Sequence, residues 1–517
     1  MAEDLKVSEF ESGTDRRMYH THRNLQQAHG PEANFHYRAE SADEILGDLN
    51  KLRNMILDHY RIQCPRLAAL DNYMKARNDG IYNDECRRTE EGKADHRAAH
   101  NFAKIINVFD VGYNTGIPIK KASDNERINE LVREYDRRND IEALDSELWR
   151  DFRKYGRAYE LQYRNQDDED CSVVSNVFET FVCYGLDVER TPLFAVRYPK
   201  YWTGMEERTR VIVYTDTEII TYRPCSLSVM VQEEEGREGH YWGEVPVTEY
   251  SPDRYRQGGY EDVASLIDLY DAAQSDTANY MTDFNEATLV ISGDLDMGRY
   301  SVRDVIEMKK ANLLLLENGI NPDGSKTQTD AKYVYKQYDV AGTEAYKERL
   351  QKDIHKISFV PDLTDEAFGG TQSGEAMKYK LFGFQQLAKT SQRGFKKGLM
   401  RRYRLLLNIK NYVNEADNVD LGDFTITFTP NLPKAVLEEL KALADAGAQF
   451  SQETLLELAS FVEDAQTEID RVKEEQESSD DDAVMRRAFG LIKKRDGADV
   501  NGQQGILEAQ GAGAAEA

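Results

Sequence analysis

The stretch from Ser373 to Tyr412 reads as one long helix, opened by Ser373 as N-cap with Glu375 in its first turn. Its forty residues, at ~1.5 Å each, would span ~60 Å, more than the thickness of an ordinary domain, so the rest of the fold must be arranged along it. Gly383, Gly394 and Gly398 interrupt the run, and a bend is expected there. Its charge is also set apart. Residues 376–412 hold ten basic side chains (Lys378, Lys380, Lys389, Arg393, Lys396, Lys397, Arg401, Arg402, Arg404 and Lys410) and no Asp or Glu, in a chain of formal net charge −27. A net charge of that sign counts against a nucleic-acid partner for the molecule as a whole, and the basic helix is the local exception. It is either a face for weak, sequence-independent contact with phosphates or a face paired with acidic neighbours. For Arg401, Arg402 and Arg404 the second reading is preferred.

A length of 517 residues allows two to four domains on a prior of ~150 residues each, with sizeable cores. No run approaches the ~18 apolar residues of a membrane span, and the opening MAEDLKVSEFESGTD has no apolar signal region, so neither a membrane partner nor secretion is expected. Five cysteines (Cys64, Cys86, Cys171, Cys183, Cys225) are scattered without a CxxC pair. That fits reduced thiols in a cytosolic setting and argues against a disulfide framework or a zinc site.

Hydrophobic periodicity gives the organisation. The first ~40 residues are polar and read as a loose arm. Ser41 and Glu44 have capping-box spacing ahead of an amphipathic helix reaching about His59, and Pro65 opens a second helix to about Ala76. Further helices are expected over 100–119, 125–138 and 140–155. From 157 to 250 the period changes to short β-branched and aromatic segments such as ETFVCY and RVIVYT, a β-rich region. Helices return at 261–287, where the polar residues are Asp and Ser rather than Lys, and at 342–358, ended by Pro361. Between them ATLVIS, LLLLE and YVYKQY surround a helix near 302–311. FTITFTP at 424–430 reads as a strand and helices follow within 433–475. The acidic, Gly/Ala-rich end reads as partly disordered.

The glycine-rich FGGTQSG at 368–374 raises the question of a phosphate cradle. Gly369 and Gly374 have P-loop spacing, but Glu375 and Ala376 stand where Lys and Ser/Thr are required, and no buried strand precedes them. Other catalytic readings also fail. Asp167, Asp168, Glu169 and Asp170, or Asp480 to Asp482, form single polar runs rather than converging metal ligands, and read as solvated loops. His355 has no nucleophile at a recognisable motif, and Cys64 reads as core. No catalytic residue, metal or cofactor is expected, and neither an ATPase nor a nuclease site is present. A head or scaffold protein would explain acidity and helices.

SDTANYMTDFNEATLVISG (275–293), YKQYDVAGTEAYKERLQKDIHKIS (335–358), SGEAMKYKLFG (373–383), YGRAYEL (155–161) and GEVPVTEYSPDRYRQGGYEDVASLIDLYD (243–271) are collinear, and together they resemble the portal proteins of long-tailed phages of Gram-positive bacteria. The resemblance runs from about 40 to 410. It implies an α+β, mainly α-helical portal fold of wing, stem, clip and crown, assembled as a ring of twelve subunits with a central channel. Carried onto this chain, 41–260 with 413–432 is the wing, and 261–287 and 342–360 are the stem helices. Residues 288–341 are the clip, 361–372 the tunnel loop, 373–412 the tunnel helix, 433–475 the crown and 476–517 the tail. The implied function is a conduit for double-stranded DNA at one vertex of the virion, assembled in the host cytoplasm. The implied partners are the terminase large subunit, a head–tail adaptor, and the major capsid and scaffolding proteins. Phe368, Gly369, Gly370, Thr371, Gln372, Ser373, Lys378 and Lys380 are then expected to line the DNA channel. Lys378 and Lys380 diverge by ~200° around the helix, so one should meet DNA and the other a neighbouring subunit.

Overall fold

The computed structural model describes residues 34–82, 94–226, 234–283, 288–293, 301–310, 313–317, 330–334, 339–362, 381–413, 421–431 and 469. The chain divides into two units, Met1–Leu432 and Pro433–Ala517, and every described residue except Ile469 lies in the first. Apart from Ile469, the expected crown and tail therefore lie outside the described residues. So do most of the expected tunnel loop, residues 373–380, and residues 1–33 of the expected arm.

The end of that arm is folded. β1 (Tyr37–Ala39) lies in parallel beside Cys183–Gly185, with Tyr37 and Ala39 buried and the Tyr37 hydroxyl donating to Asp58 at 3.0 Å. Two apolar residues at alternate positions fill one sheet face, and that burial offsets the entropy lost in ordering the segment. α1 (Ala42–Leu46) starts at Ser41, whose Oγ accepts from the Glu44 N–H, while the Glu44 carboxylate accepts from the N–H of Glu40 rather than of Ser41. α2 (Leu49–Asp58) does not stop at His59. It passes through a π-helical turn, His59–Gln63, directly into α3 (Cys64–Met74). Pro65 thus sits within a continuous helix. It has no N–H for the carbonyl four residues back, and the wider turn, in which the Cys64 N–H reaches His59 O, accommodates its ring.

α4 (Asp79–Tyr82), α5 (Phe102–Thr115), β2 (Lys120–Ala122), α6 (Glu126–Arg138) and α7 (Ile141–Tyr155) follow, the larger helices where periodicity places them. The β-rich region supplies β3 (Ala158–Arg164), β4 (Asp170–Ser175), β5 (Thr180–Gly185), β6 (Pro192–Arg197), β7 (Lys200–Thr203), β8 (Glu206–Thr209), β9 (Ile212–Tyr214), β10 (Glu218–Tyr222), β11 (Glu234–Gly239) and β12 (Val247–Tyr250). They form a sheet of order β1-β5-β6-β9-β10-β11, a sheet β12-β3-β4 and a β7-β8 hairpin.

A 3-10 turn, Glu261–Val263, leads into α8 (Ala264–Asp283). Then comes the insert: β13 (Thr288–Gly293), α9 (Val302–Lys310), β14 (Leu313–Glu317) and β15 (Asp330–Val334). β13 is central, parallel to β14 and antiparallel to β15. α10 (Val340–Ser358) packs on α8 and ends at Phe359, which takes the left-handed conformation at φ 59°. α11 (Phe382–Tyr412) is the described part of the long helix. β16 (Thr425–Thr427) pairs with β2, returning the chain to the N-terminal half.

Candidate functional site

α11 is held along its length by aromatic packing. Phe395 meets Trp149 and Phe152 of α7 and Tyr250 of β12, with ring centroids 4.9, 5.3 and 4.8 Å away, and Leu399, Tyr403 and Leu406 extend the same core. The helix runs continuously through Gly383, Gly394 and Gly398. The last two glycines serve close approach instead. A methyl group at Gly394 would overlap the main chain at Ser251, and one at Gly398 the ring of Tyr250.

Polar groups pin the same helix. Arg153 of α7 gives its Nε to Asp110 at 2.7 Å and an Nη to Ser391 of α11 at 3.2 Å, while Trp149 Nε1 donates to the other Asp110 oxygen at 2.8 Å. Further along, Arg402 is fully buried between two carboxylates, Asp145 at 2.6 Å and Glu160 at 2.7 Å. Burial opposes its charge, but Asp145 and Glu160 outweigh that and hold the guanidinium pKa well above its ordinary value. Glu160 also accepts from Ser172 and from Tyr250, whose phenol burial pushes upward. The Tyr403 hydroxyl donates to Asp136 at 2.8 Å.

The basic residues of the helix therefore fall into two sets. Toward the C-terminal end they are paired with acidic residues of the surrounding helices, strands and loops. Arg401 meets Glu244 at 3.3 Å and the carbonyls of Val245 and Val247, Arg404 meets Glu244 at 2.8 Å, and Lys410 meets Asp170 at 3.1 Å. The acidic pairing preferred for Arg401, Arg402 and Arg404 is what the structure contains. Asp170 corrects one expectation: it is a buried strand residue engaged by Lys410 and Arg164, not part of a solvated run. Toward the N-terminal end the pattern reverses. Lys389, Arg393 and Lys397 are exposed and Lys396 is half-buried, and none of the four has a carboxylate partner among the described residues.

Phe368, Gly369, Gly370, Thr371, Gln372, Ser373, Lys378 and Lys380 all lie outside the described residues. Sequence reasoning did not find Asp110, Asp145 or Glu160. Each sits in an ordinary helix or strand, and nothing local to it points to its arginine, which lies 43 residues away for Asp110 and more than two hundred away for Asp145 and Glu160. Cys64 is buried as expected, its thiol donating to Phe178 O at 3.3 Å. Burial pushes that thiol up to about 11, the opposite of what a nucleophile requires.

A long helix is locked by a buried arginine against the surrounding helices and strands, and a helix pair, α8 and α10, carries a small α/β insert. Residues 53–482 match the family described as phage portal protein, SPP1 Gp6-like, and this chain belongs to that family. It is 24% identical over 458 residues to the portal protein of Bacillus phage SPP1, covering 84% of this chain and 88% of that one. Among solved structures it is similar to a chain in the neck of a native gene transfer agent particle computed with C12 symmetry. That match has a TM-score of 0.35 and 12% identity, over 69% of this chain and 89% of the other. It is also similar to a chain in the neck of the empty particle computed with C6 symmetry, at TM-score 0.36 and 13% identity over 76% and 93%. No described helix is long and apolar enough to cross a membrane.

Proposed function

We propose that this phage portal protein assembles as a ring, of twelve subunits in the virion, through whose central channel double-stranded DNA is packaged and ejected. The observation that carries the reading is the division of α11. Its C-terminal half is fixed in the wing by Arg402 and its partners, which makes the helix a strut. Its N-terminal end leads back toward 361–372, the proposed tunnel loop, and to Lys378 and Lys380. A surface with net charge −27 per subunit repels phosphate over most of its area, which suits a conduit that must not hold its cargo.

On this reading Phe368 to Ser373 line the channel, and one of Lys378 and Lys380 touches DNA. The insert 288–341 is the docking platform for the terminase large subunit and a head–tail adaptor. The ring also nucleates head assembly with the major capsid and scaffolding proteins. The protein itself turns over no nucleotide, and the packaging ATPase is a separate chain. Negative-stain imaging of the purified protein should show rings with a central hole. Lys378→Glu and Lys380→Glu should both assemble, with packaging slowed in one of them. If both package DNA like the parent, the channel assignment is wrong.

A further inference from the structure

The cations of α11 that have no carboxylate partner among the described residues share a face with two half-exposed aromatic residues. Phe382 is 58% exposed at the start of the helix, and Phe359, 53% exposed, lies against Gly383. From Phe382 the face continues through Lys389 to Lys396, steps of seven residues or ~10 Å, with Arg393 and Lys397 beside them. A surface that only slides past phosphates gains nothing from two exposed phenylalanines next to its cations. A protein surface that is apolar at one point and acidic one heptad away matches both.

Such a surface exists on the same chain. The outward stripe of the 3-10 turn and α8 carries Asp262, Leu269 and Asp276, again seven residues apart, with Leu269 48% exposed and both carboxylates on exposed residues. Burial, reinforced by neighbouring Glu261, raises the Asp262 carboxyl, so an added cation there would relieve an existing cost. The two stripes do not meet within one subunit. The inner faces of these helices, Val263, Ala264 and Ile267 on one side and Phe384 and Ala388 on the other, join a single core, and the residues of the two stripes are exposed. Two complementary faces that do not meet on one molecule can join between neighbouring copies, and such a contact made head to tail closes into a ring.

We infer that the Phe382–Lys389–Arg393–Lys397 face of α11 docks on the Asp262–Leu269–Asp276 stripe of the adjacent copy of this chain. The contact rests on the ring reading above and assigns it a charged, salt-sensitive surface. Like-charge juxtaposition along such a surface is strongly unfavourable, so reversal of either face should prevent assembly and reversal of both should restore it.

The test uses the full chain in three forms: Lys389→Glu with Arg393→Glu and Lys397→Glu, Asp262→Lys with Asp276→Lys, and all five together. Sedimentation velocity and native mass spectrometry would read the ring fraction at low and high salt. Each single-face variant should need at least about tenfold more protein to reach half assembly at low salt, with the deficit shrinking as salt screens it. The five-fold variant should return to within about threefold of the parent. That recovery also excludes misfolding of its components as the cause. Overturning results are distinct. If both single-face variants assemble like the parent, or the combination is no better than the worse of them, the interface is wrong while the ring stands. If the basic-face variant assembles normally but packages poorly, the cations face DNA instead. If the parent itself stays monomeric at all concentrations and salts, the ring reading falls and takes the interface with it.

Discussion

One Asp271 carboxylate oxygen accepts two hydrogen bonds from His100, 2.9 Å from the main-chain N–H and 2.8 Å from Nδ1. Two further rungs follow on α8. Ser275 Oγ accepts from the Ala98 N–H at 2.9 Å, and Asn279 Oδ1 accepts from the His96 N–H at 2.6 Å. Steps of four along a helix rise ~6 Å, and steps of two along an extended chain rise ~6.6 Å, so side chains at 271, 275 and 279 meet every second N–H of the segment. The ladder straps 94–100 to α8. Asp271→Ala would leave the His100 N–H and the Asn78 amide, which also donates to this carboxylate, without their buried acceptor. We expect a loss of about 2–4 kcal/mol in denaturant unfolding, with new proteolytic cleavage near residue 100. Unchanged stability and cleavage would show that the strap contributes nothing.

Arg402 and Arg404 lie two residues apart, yet the first is buried between two carboxylates and the second is exposed. Arg402→Met removes the countercharge of two buried carboxylates, Asp145 and Glu160, and should destabilise by about 3–5 kcal/mol. Arg404→Met removes an exposed pairing with Glu244 and should cost no more than about 0.5 kcal/mol. Chemical denaturation of the two variants side by side checks this. Similar losses would mean that Arg402 is not the anchor of α11.

What could be read from the sequence depended on range. Periodicity placed α5 to α8, and the alternation of ATLVIS, LLLLE and YVYKQY around a helix anticipated β13, α9, β14 and β15. The strap was half visible, because the Asp and Ser content of 261–287 stood out while its purpose did not. Asp271, Ser275 and Asn279 make sense only once an extended chain lies beside them. Arg402 was assigned an acidic partner but not which one, since Asp145 and Glu160 lie 257 and 242 residues away. Helix continuity through Pro65 and through Gly394 and Gly398 ran against local signals. In each case packing decided: a π turn at Pro65, and Tyr250 and Ser251 against the glycines.

The glycines of the helices divide by what surrounds them. Gly398→Ala must displace the Tyr250 ring from a core it shares with Phe395, and Gly394→Ala must displace main chain at Ser251. Both should destabilise by about 1–3 kcal/mol, as overpacking does. Gly112, inside α5, has open space where its Cβ would be, so Gly112→Ala should raise stability by about 0.5–1 kcal/mol through helix propensity alone. Thermal melts of the three variants should order Gly112→Ala above the parent and the other two below it. A neutral Gly398→Ala would mean that Tyr250 is free to move.

Asp151 sets a pH dependence whose direction can be worked out. On α7, burial first and then the charges of Glu147 and Asp71 raise its carboxyl to about 6, although Lys154 and Arg150 oppose the shift. The unfolded chain titrates near ~3.9, so between about pH 4 and pH 6 the folded state binds more protons than the unfolded one. Stability contributed at this position is therefore full in acid, falls as pH rises through that window, and stays low at pH 7. Asp151→Asn removes the buried charge and keeps the shape. It should stabilise the protein at pH 7 by about 1–2 kcal/mol, after allowing for solvent screening of a partly exposed group, and the advantage should vanish below about pH 4. Denaturant unfolding of parent and variant across that range tests both sign and window. A variant that is less stable at pH 7, or whose advantage does not change with pH, would show that the Asp151 carboxylate is stabilised in the fold rather than tolerated by it.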